Sequence, residues 1–257
     1  MNIGRVFVIA SNVFREVIRD RVLYLIGLFA LFLGVCFRLL PEVAATTEDK
    51  IILDLGLAAM HLLGLVVAIF VGTGLVNKEI EKRTVLVLMA KPISRTEFIV
   101  GKHLGLTAVL AVLVAAMTAI FMALLAFNQV AYPLPSLWVS SLFLWLQLSL
   151  ITAIAIAFGV FTGSLLATLL TFMVFLMGSF SANLVTLGAQ SKDATVTAIT
   201  RNLYLVLPDL SRLDLKNQAV YGVLPPLNTL LLNTGYGMLY IILLLAIATL
   251  LFSRREF

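Results

Sequence analysis

Two histidines, one cysteine and a sparse set of carboxylates are the groups in this chain most able to do chemistry, and their spacing supports no catalysis. His61 and Arg38 are the only ionisable side chains inside the long apolar runs, where charge is expensive and usually marks an ion or proton pathway. With no Asp or Glu at its depth, His61 reads as a packing residue rather than a relay. His103 stands at the mouth of a later run, so no His/Asp/Glu cluster has metal-ligand spacing. Cys36 is single, which excludes an internal disulfide and a thiolate metal site. No Ser-His pair shares a depth, which argues against an intramembrane protease. Gly101-Lys102 lacks both the upstream glycine and the following Ser/Thr of a phosphate-binding loop. Any ATP that drives this protein must be bound by another chain.

The elements that hold these residues are set by composition. Of 257 residues 61% are hydrophobic and only 12% charged, and mean hydropathy is +1.10. A soluble core of this size cannot hide so much apolar surface, so lipid must solvate much of it. The length suits one membrane domain over 1–257, with no separate soluble enzyme domain. Six spans are expected: Val22–Leu40, Leu55–Val76, Leu104–Phe127, Leu137–Val160, Ser164–Leu187 and Gly235–Phe252. A run of about 22 residues makes a helix of roughly 33 Å, enough for a hydrocarbon core of about 30 Å. The reading is thus an all-α membrane protein with six transmembrane helices. Arg5, Arg15, Arg19 and Arg21 precede the first span without a small-residue cleavage pattern, so no cleaved signal is expected.

Charge orients the spans. The N-terminal segment, the 77–103 loop and Arg254-Arg255 hold twelve lysines and arginines, and the opposite loops hold five: Lys50, Lys192, Arg201, Arg212 and Lys216. The positive-inside rule makes both termini and the 77–103 loop cytoplasmic, in an inner or plasma membrane. The same rule accounts for the net charge of +5, so nucleic acid is not expected as a partner.

Three segments do not span. In 1–21, Ile3, Val6, Phe7, Ala10, Val13, Phe14, Val17 and Ile18 recur at helical spacing opposite Arg5, Asn12, Arg15, Glu16 and Arg19, as in an interfacial helix. The connection 188–234 carries Pro208, Pro225 and Pro226, yet its middle is too apolar for a free loop; short broken helices packed on the bundle are expected. In 77–103, Lys78–Met89 begins charged and ends apolar, Pro92 breaks it, and Ser94-Arg95-Thr96-Glu97 is a capping box that starts a new helix. The outcome is a helical elbow between the second and third spans. Small residues every fourth position in the second and third spans (Gly64, Ala68, Gly72; Ala111, Ala115, Ala119, Ala123) read as ordinary helix packing in lipid.

Glu79-x-Glu81-x-x-Thr84, Lys91-Pro92-Ile93-Ser94-Arg95-x-Glu97-Phe98 and Gly101-Lys102 resemble the first cytoplasmic loop of ABC-2 type transporter permeases. The basic amphipathic N-terminus, six spans and long outer connection extend the likeness over the chain. Leu207-Pro-Asp-Leu-Ser-Arg-Leu-Asp-Leu-Lys216 and the terminal Arg254-Arg-Glu-Phe257 resemble the subgroup that includes the nitrous-oxide-reductase maturation permeases. Arg83 departs from the pattern, standing where many members carry glycine.

The resemblance implies the permease subunit of an ATP-driven exporter: a homodimer pairing with two separate ABC ATPase subunits, which carry ATP and Mg. This chain would bind no cofactor or metal, catalyse no reaction and touch membrane lipid. The resemblance further implies that Glu79, Glu81, Arg83, Thr84 and Leu86 form a docking helix. Pro92, Ser94, Arg95 and Glu97 would then hold the elbow. The second and fifth spans would line the path, with Ser179, Ser181, Asn183 and Thr186 as its polar residues. The alternatives are a self-sufficient secondary transporter or channel, which needs midplane carboxylates or broken helices, and an ATP-driven mechanotransmission complex.

Overall fold

Among the described residues the long apolar runs are helical. The computed structural model describes residues 2–43, 48–81, 94–181, 186, 188, 190–191 and 194–254; among them there is no strand. Helix α1 (Ile3–Val17) passes through a π-helical turn, Ile18–Val22, into α2 (Leu23–Val43). Then come α3 (Glu48–Glu81), α4 (Arg95–Phe127), α5 (Leu134–Phe161) and α6 (Ser164–Ser179). The connection that follows holds α7 (Ala194–Val206), a 3-10 turn (Leu210–Leu213) and α8 (Lys216–Tyr221), and α9 (Leu227–Arg254) ends the described chain.

Among the described residues five helices, α2, α3, α4, α5 and α9, are long and apolar enough to cross a membrane. The fifth expected span, Ser164–Leu187, differs. Its helix starts at Ser164 as expected, but α6 has 16 residues, about 24 Å, short of a hydrocarbon core of about 30 Å. Ser181, Thr186, Gly188 and Gln190 are helical as well, while 182–185 and 187 lie outside the described residues. The expected broken helices of the long connection are present as α7, the 3-10 turn and α8.

Helix α5 is the axis of the bundle: 89% of its most apolar window is buried, against 17% for α2 at the periphery. Helices α3, α4 and α9 pack around α5. Close approach of α3 to α5 needs small residues, since a Cβ on Gly72 would sit 2.9 Å from the Ala155 Cβ. Hydroxyls stitch the seams: Thr118 donates to Ser141 at 2.9 Å, and Trp145 Nε1 donates to the Thr107 carbonyl at 3.0 Å. Both histidines lie within the bundle, and His61 Nε2 is buried with no hydrogen-bond partner among the described residues. His103 Nε2 lies 3.1 Å from the Ser149 carbonyl, and the His61 ring meets Phe175 edge-on. Among the described residues no group of His, Cys, Asp or Glu is placed to hold a metal ion.

Helix α1 does not rest on lipid alone. Val6, Val13 and Val17 are buried, while Ile3 and Phe7, at the edge of the same apolar face, stay exposed. The seat is Gly101-x-x-x-Gly105 on α4: a Cβ on Gly105 would lie 2.6 Å from the Val13 Cβ and 2.7 Å from the Ala10 carbonyl. A backbone oxygen cannot swing aside. Gly105→Leu is therefore expected to lose about 1–3 kcal/mol to overpacking and to lift α1 off the bundle. The measurement is faster tryptic cleavage after Arg15 and Arg19. Gly34→Leu, at a position with nothing within 4 Å, should leave cleavage unchanged.

Candidate functional site

The capping box expected at Ser94 is formed. The Glu97 amide donates to Ser94 Oγ at 3.1 Å, and the Ser94 amide donates to Glu97 Oε2 at 3.0 Å. Two of the amides that a helix start leaves unpaired are thereby satisfied. The same carboxylate reaches further. Glu97 Oε1 accepts from the Asn2 amide at 2.6 Å, while the Asn2 side chain caps α1 by accepting from the Gly4 amide at 3.0 Å. The Arg5 guanidinium lies 4.0 Å from Glu97 Oε2. Glu97, 3% exposed, thus sits between the N-termini of α1 and α4, where the partial positive charge of both helices favours an anion.

Arg95 does the converse. Its Nη1 donates to the Phe252 carbonyl at 3.2 Å and also to the Ser253 carbonyl, capping the last turn of α9. The negative end of a helix suits a guanidinium. Phe98 stacks on Phe252 at 5.5 Å between ring centres, over a small core that includes Val76, Ile99, Ile156, Val160 and Ala248. The Lys102 ammonium lies 5.5 Å from the Phe98 ring centre and is paired with Glu79 at the end of α3. Within nine residues, Ser94–Lys102, α4 therefore grips the start of α1 and the ends of α3 and α9. The group fixes four helix ends to one another.

The residues named from sequence fall into distinct places. Ser94, Arg95, Glu97 and Glu79 come together in this bracket. Glu81 ends α3, while Arg83, Thr84, Leu86 and Pro92 lie outside the described residues. Lys102, Asn2 and the α9 carbonyls were not foreseen as members. The signal for Lys102 was a lysine in the first turns of an otherwise apolar helix, a position that demands a counter-charge.

Of the residues expected along the path, Ser181 is fully buried and donates to Asp209 Oδ1 at 2.7 Å. The Ser179 hydroxyl is buried with no hydrogen-bond partner among the described residues. Thr186 is exposed, and Asn183 lies outside the described residues. Asp209 organises the far end of the bundle. It accepts from Ser211 Oγ at 2.6 Å and from Arg212 Nε at 3.1 Å, and its amide donates to the Tyr236 hydroxyl at 2.7 Å. Arg212 also donates to the Tyr204 hydroxyl at 3.2 Å and lies 4.9 Å from the Tyr236 ring centre. Burial pushes the Asp209 carboxyl up, but the bonds from Ser211, Ser181 and Arg212 together outweigh it and hold it below its ordinary range. The long connection is thus clamped to α9 and to the residues after α6.

The described residues thus form a bracket of helix ends at one pole, a clamped connection at the other and apolar helices between them. No curated protein matches the chain. The model of the family described as ABC-2 family transporter protein matches residues 7–257, and the chain belongs to that family, as a multi-pass permease component of an ABC transporter.

Proposed function

We propose that this chain is the membrane subunit of an ATP-driven exporter, working as a homodimer with two ATPase subunits that dock on the elbow at its cytoplasmic face. ABC-2 permeases normally work with ABC ATPases, and the positive-inside count puts the bracket on the ATPase side. The observation that carries the reading is the double use of the elbow's exit, Glu97 to α1 and Arg95 to α9. A push on a free loop would be absorbed by the loop. A push on this elbow reaches α1, α3, α4 and α9 together, as a rigid-body shift of packed helices requires. In this reading Glu81, Arg83, Thr84 and Leu86 form the docking surface, and Glu79, Ser94, Arg95 and Glu97 stiffen its mounting behind Pro92. Helix α3 and the α6 region line the path between the two copies, with Ser179, Asn183 and Thr186 as polar residues. The Leu207–Lys216 run supports placing the chain with the nitrous-oxide-reductase maturation permeases.

Docking is tested by Glu81→Lys in the full complex, purified by a tag on this chain. The expected result is several-fold less co-purified ATPase at unchanged membrane insertion. Unaltered co-purification would remove the docking role.

A further inference from the structure

A cavity of about 620 Å³ opens between the π-helical turn and α3, and neither the elbow nor the path accounts for it. Its upper wall is apolar, with Leu25 from α2 and Val66, Phe70 and Val71 from α3. Its lower end is charged, with Lys78, Glu79, Lys102 and Glu16. This volume is that of a small-molecule site. Along α3 the wall from Val66 to Lys78 rises about 18 Å, roughly the depth of one leaflet from its polar boundary to the bilayer centre. Val66, Phe70, Tyr24 and Lys78 are exposed, so the cavity is open sideways as well as at its charged end.

The charges discriminate between occupants. Glu79 and Lys102 are paired with each other at the floor. Lys78 and Glu16 have no ion-pair partner among the described residues, which leaves one cation and one anion facing the same opening. An anionic headgroup satisfies only the lysine and is opposed by Glu16. A headgroup carrying both signs satisfies both. A soluble protein segment has no counterpart to a wall whose polarity follows the bilayer normal.

We propose that the cavity is a binding site for one zwitterionic phospholipid, with its phosphate on Lys78, its ammonium on Glu16 and an acyl chain against Leu25, Val66 and Phe70. The lipid fills the gap that the π-helical turn leaves between α1, α2 and α3, and its headgroup rests over the Glu79–Lys102 pair. Bound there, it is a structural ligand rather than cargo, since no residue of α6 or of the connection after it lines the cavity. The site needs only that α1 lie at a bilayer surface. It stands whether or not the elbow docks an ATPase.

The test is native mass spectrometry of the full chain released from nanodiscs of equimolar phosphatidylethanolamine and phosphatidylglycerol. The wild type should retain one phosphatidylethanolamine per chain, several-fold over phosphatidylglycerol. Gly74→Leu should abolish retention by filling the cavity; a Cβ there meets only the Lys78 side chain, at 3.5 Å, so the fold accommodates it. Lys78→Ala, at an exposed position, should lower retention several-fold and keeps the test valid should Gly74→Leu fail to fold. The proposal is overturned by a wild type that carries no lipid, by equal retention of the two lipids, or by variants that retain as much as the wild type. Cross-linking of a second copy into the cavity would overturn it too.

Discussion

Replacing Glu97 with alanine is expected to free the amino-terminal helix and to strip the partner ATPase from the purified complex, with the chain still inserted in the membrane. One carboxylate serves the Ser94 amide on one oxygen and the Asn2 amide on the other. Truncation leaves both amides without an acceptor, while the amide of residue 97 keeps Ser94 Oγ. Glutamine keeps a single acceptor oxygen, which can complete the capping box or hold Asn2 but not both. The series should therefore be graded: wild type, then Glu97→Gln, then Glu97→Ala. Two measurements check it, tryptic cleavage after Arg15 and Arg19 and the amount of ATPase recovered with the tagged chain. If Glu97→Ala retains the ATPase at the wild-type level while α1 is cut freely, the bracket and the docking surface are separate devices.

The second large effect is expected at the opposite pole. Asp209→Ala removes the acceptor of Ser181, Ser211 and Arg212 at once. The Ser181 hydroxyl is then buried without a partner, whereas the Arg212 side chain, 44% exposed, recovers part of its loss from water. The net loss should be about 2–4 kcal/mol, read as a lower unfolding temperature in detergent. A pH series adds the sign. The folded carboxyl titrates below its unfolded value of about 3.9, so the stabilisation is complete above that pH and is lost as pH falls through the lower folded value. Asp209→Asn should flatten this acid dependence while keeping the side-chain shape. A wild-type unfolding temperature as insensitive to acid as that of Asp209→Asn would show that the clamp contributes nothing through its charge.

Much of this molecule was legible because its signals are local. Lipid selects long apolar runs, so α2, α3, α4, α5 and α9 were found from hydropathy alone. Their ends were not. Helix α3 starts at Glu48 and α9 at Leu227, well ahead of the expected Leu55–Val76 and Gly235–Phe252. A helix that continues into water past the bilayer loses its apolar signature while keeping its hydrogen bonds. The capping box was legible for the opposite reason, since its two members lie three residues apart and both types are diagnostic. The reach of Glu97 to Asn2, 95 residues away, and of Arg95 to Phe252, 157 residues away, has no local signature. Ser181 shows the same limit. A hydroxyl in an apolar run was expected along a path, and its partner Asp209 is 28 residues further on.

The seat of α1 has a consequence for how the chain is made. The first helix emerges from the ribosome about 95 residues ahead of the glutamate that holds it, a wait of roughly 5–19 s at about 5–20 residues per second. Throughout that interval Val6, Val13 and Val17 have no protein to cover them, and only the membrane surface can shelter them. Ile3 and Phe7, which remain outside the finished bundle, mark where that shelter was. Arg95 waits longer still, because the Phe252 carbonyl it caps is made 157 residues after it. The clasp at this pole therefore closes only once the end of α9 has been made.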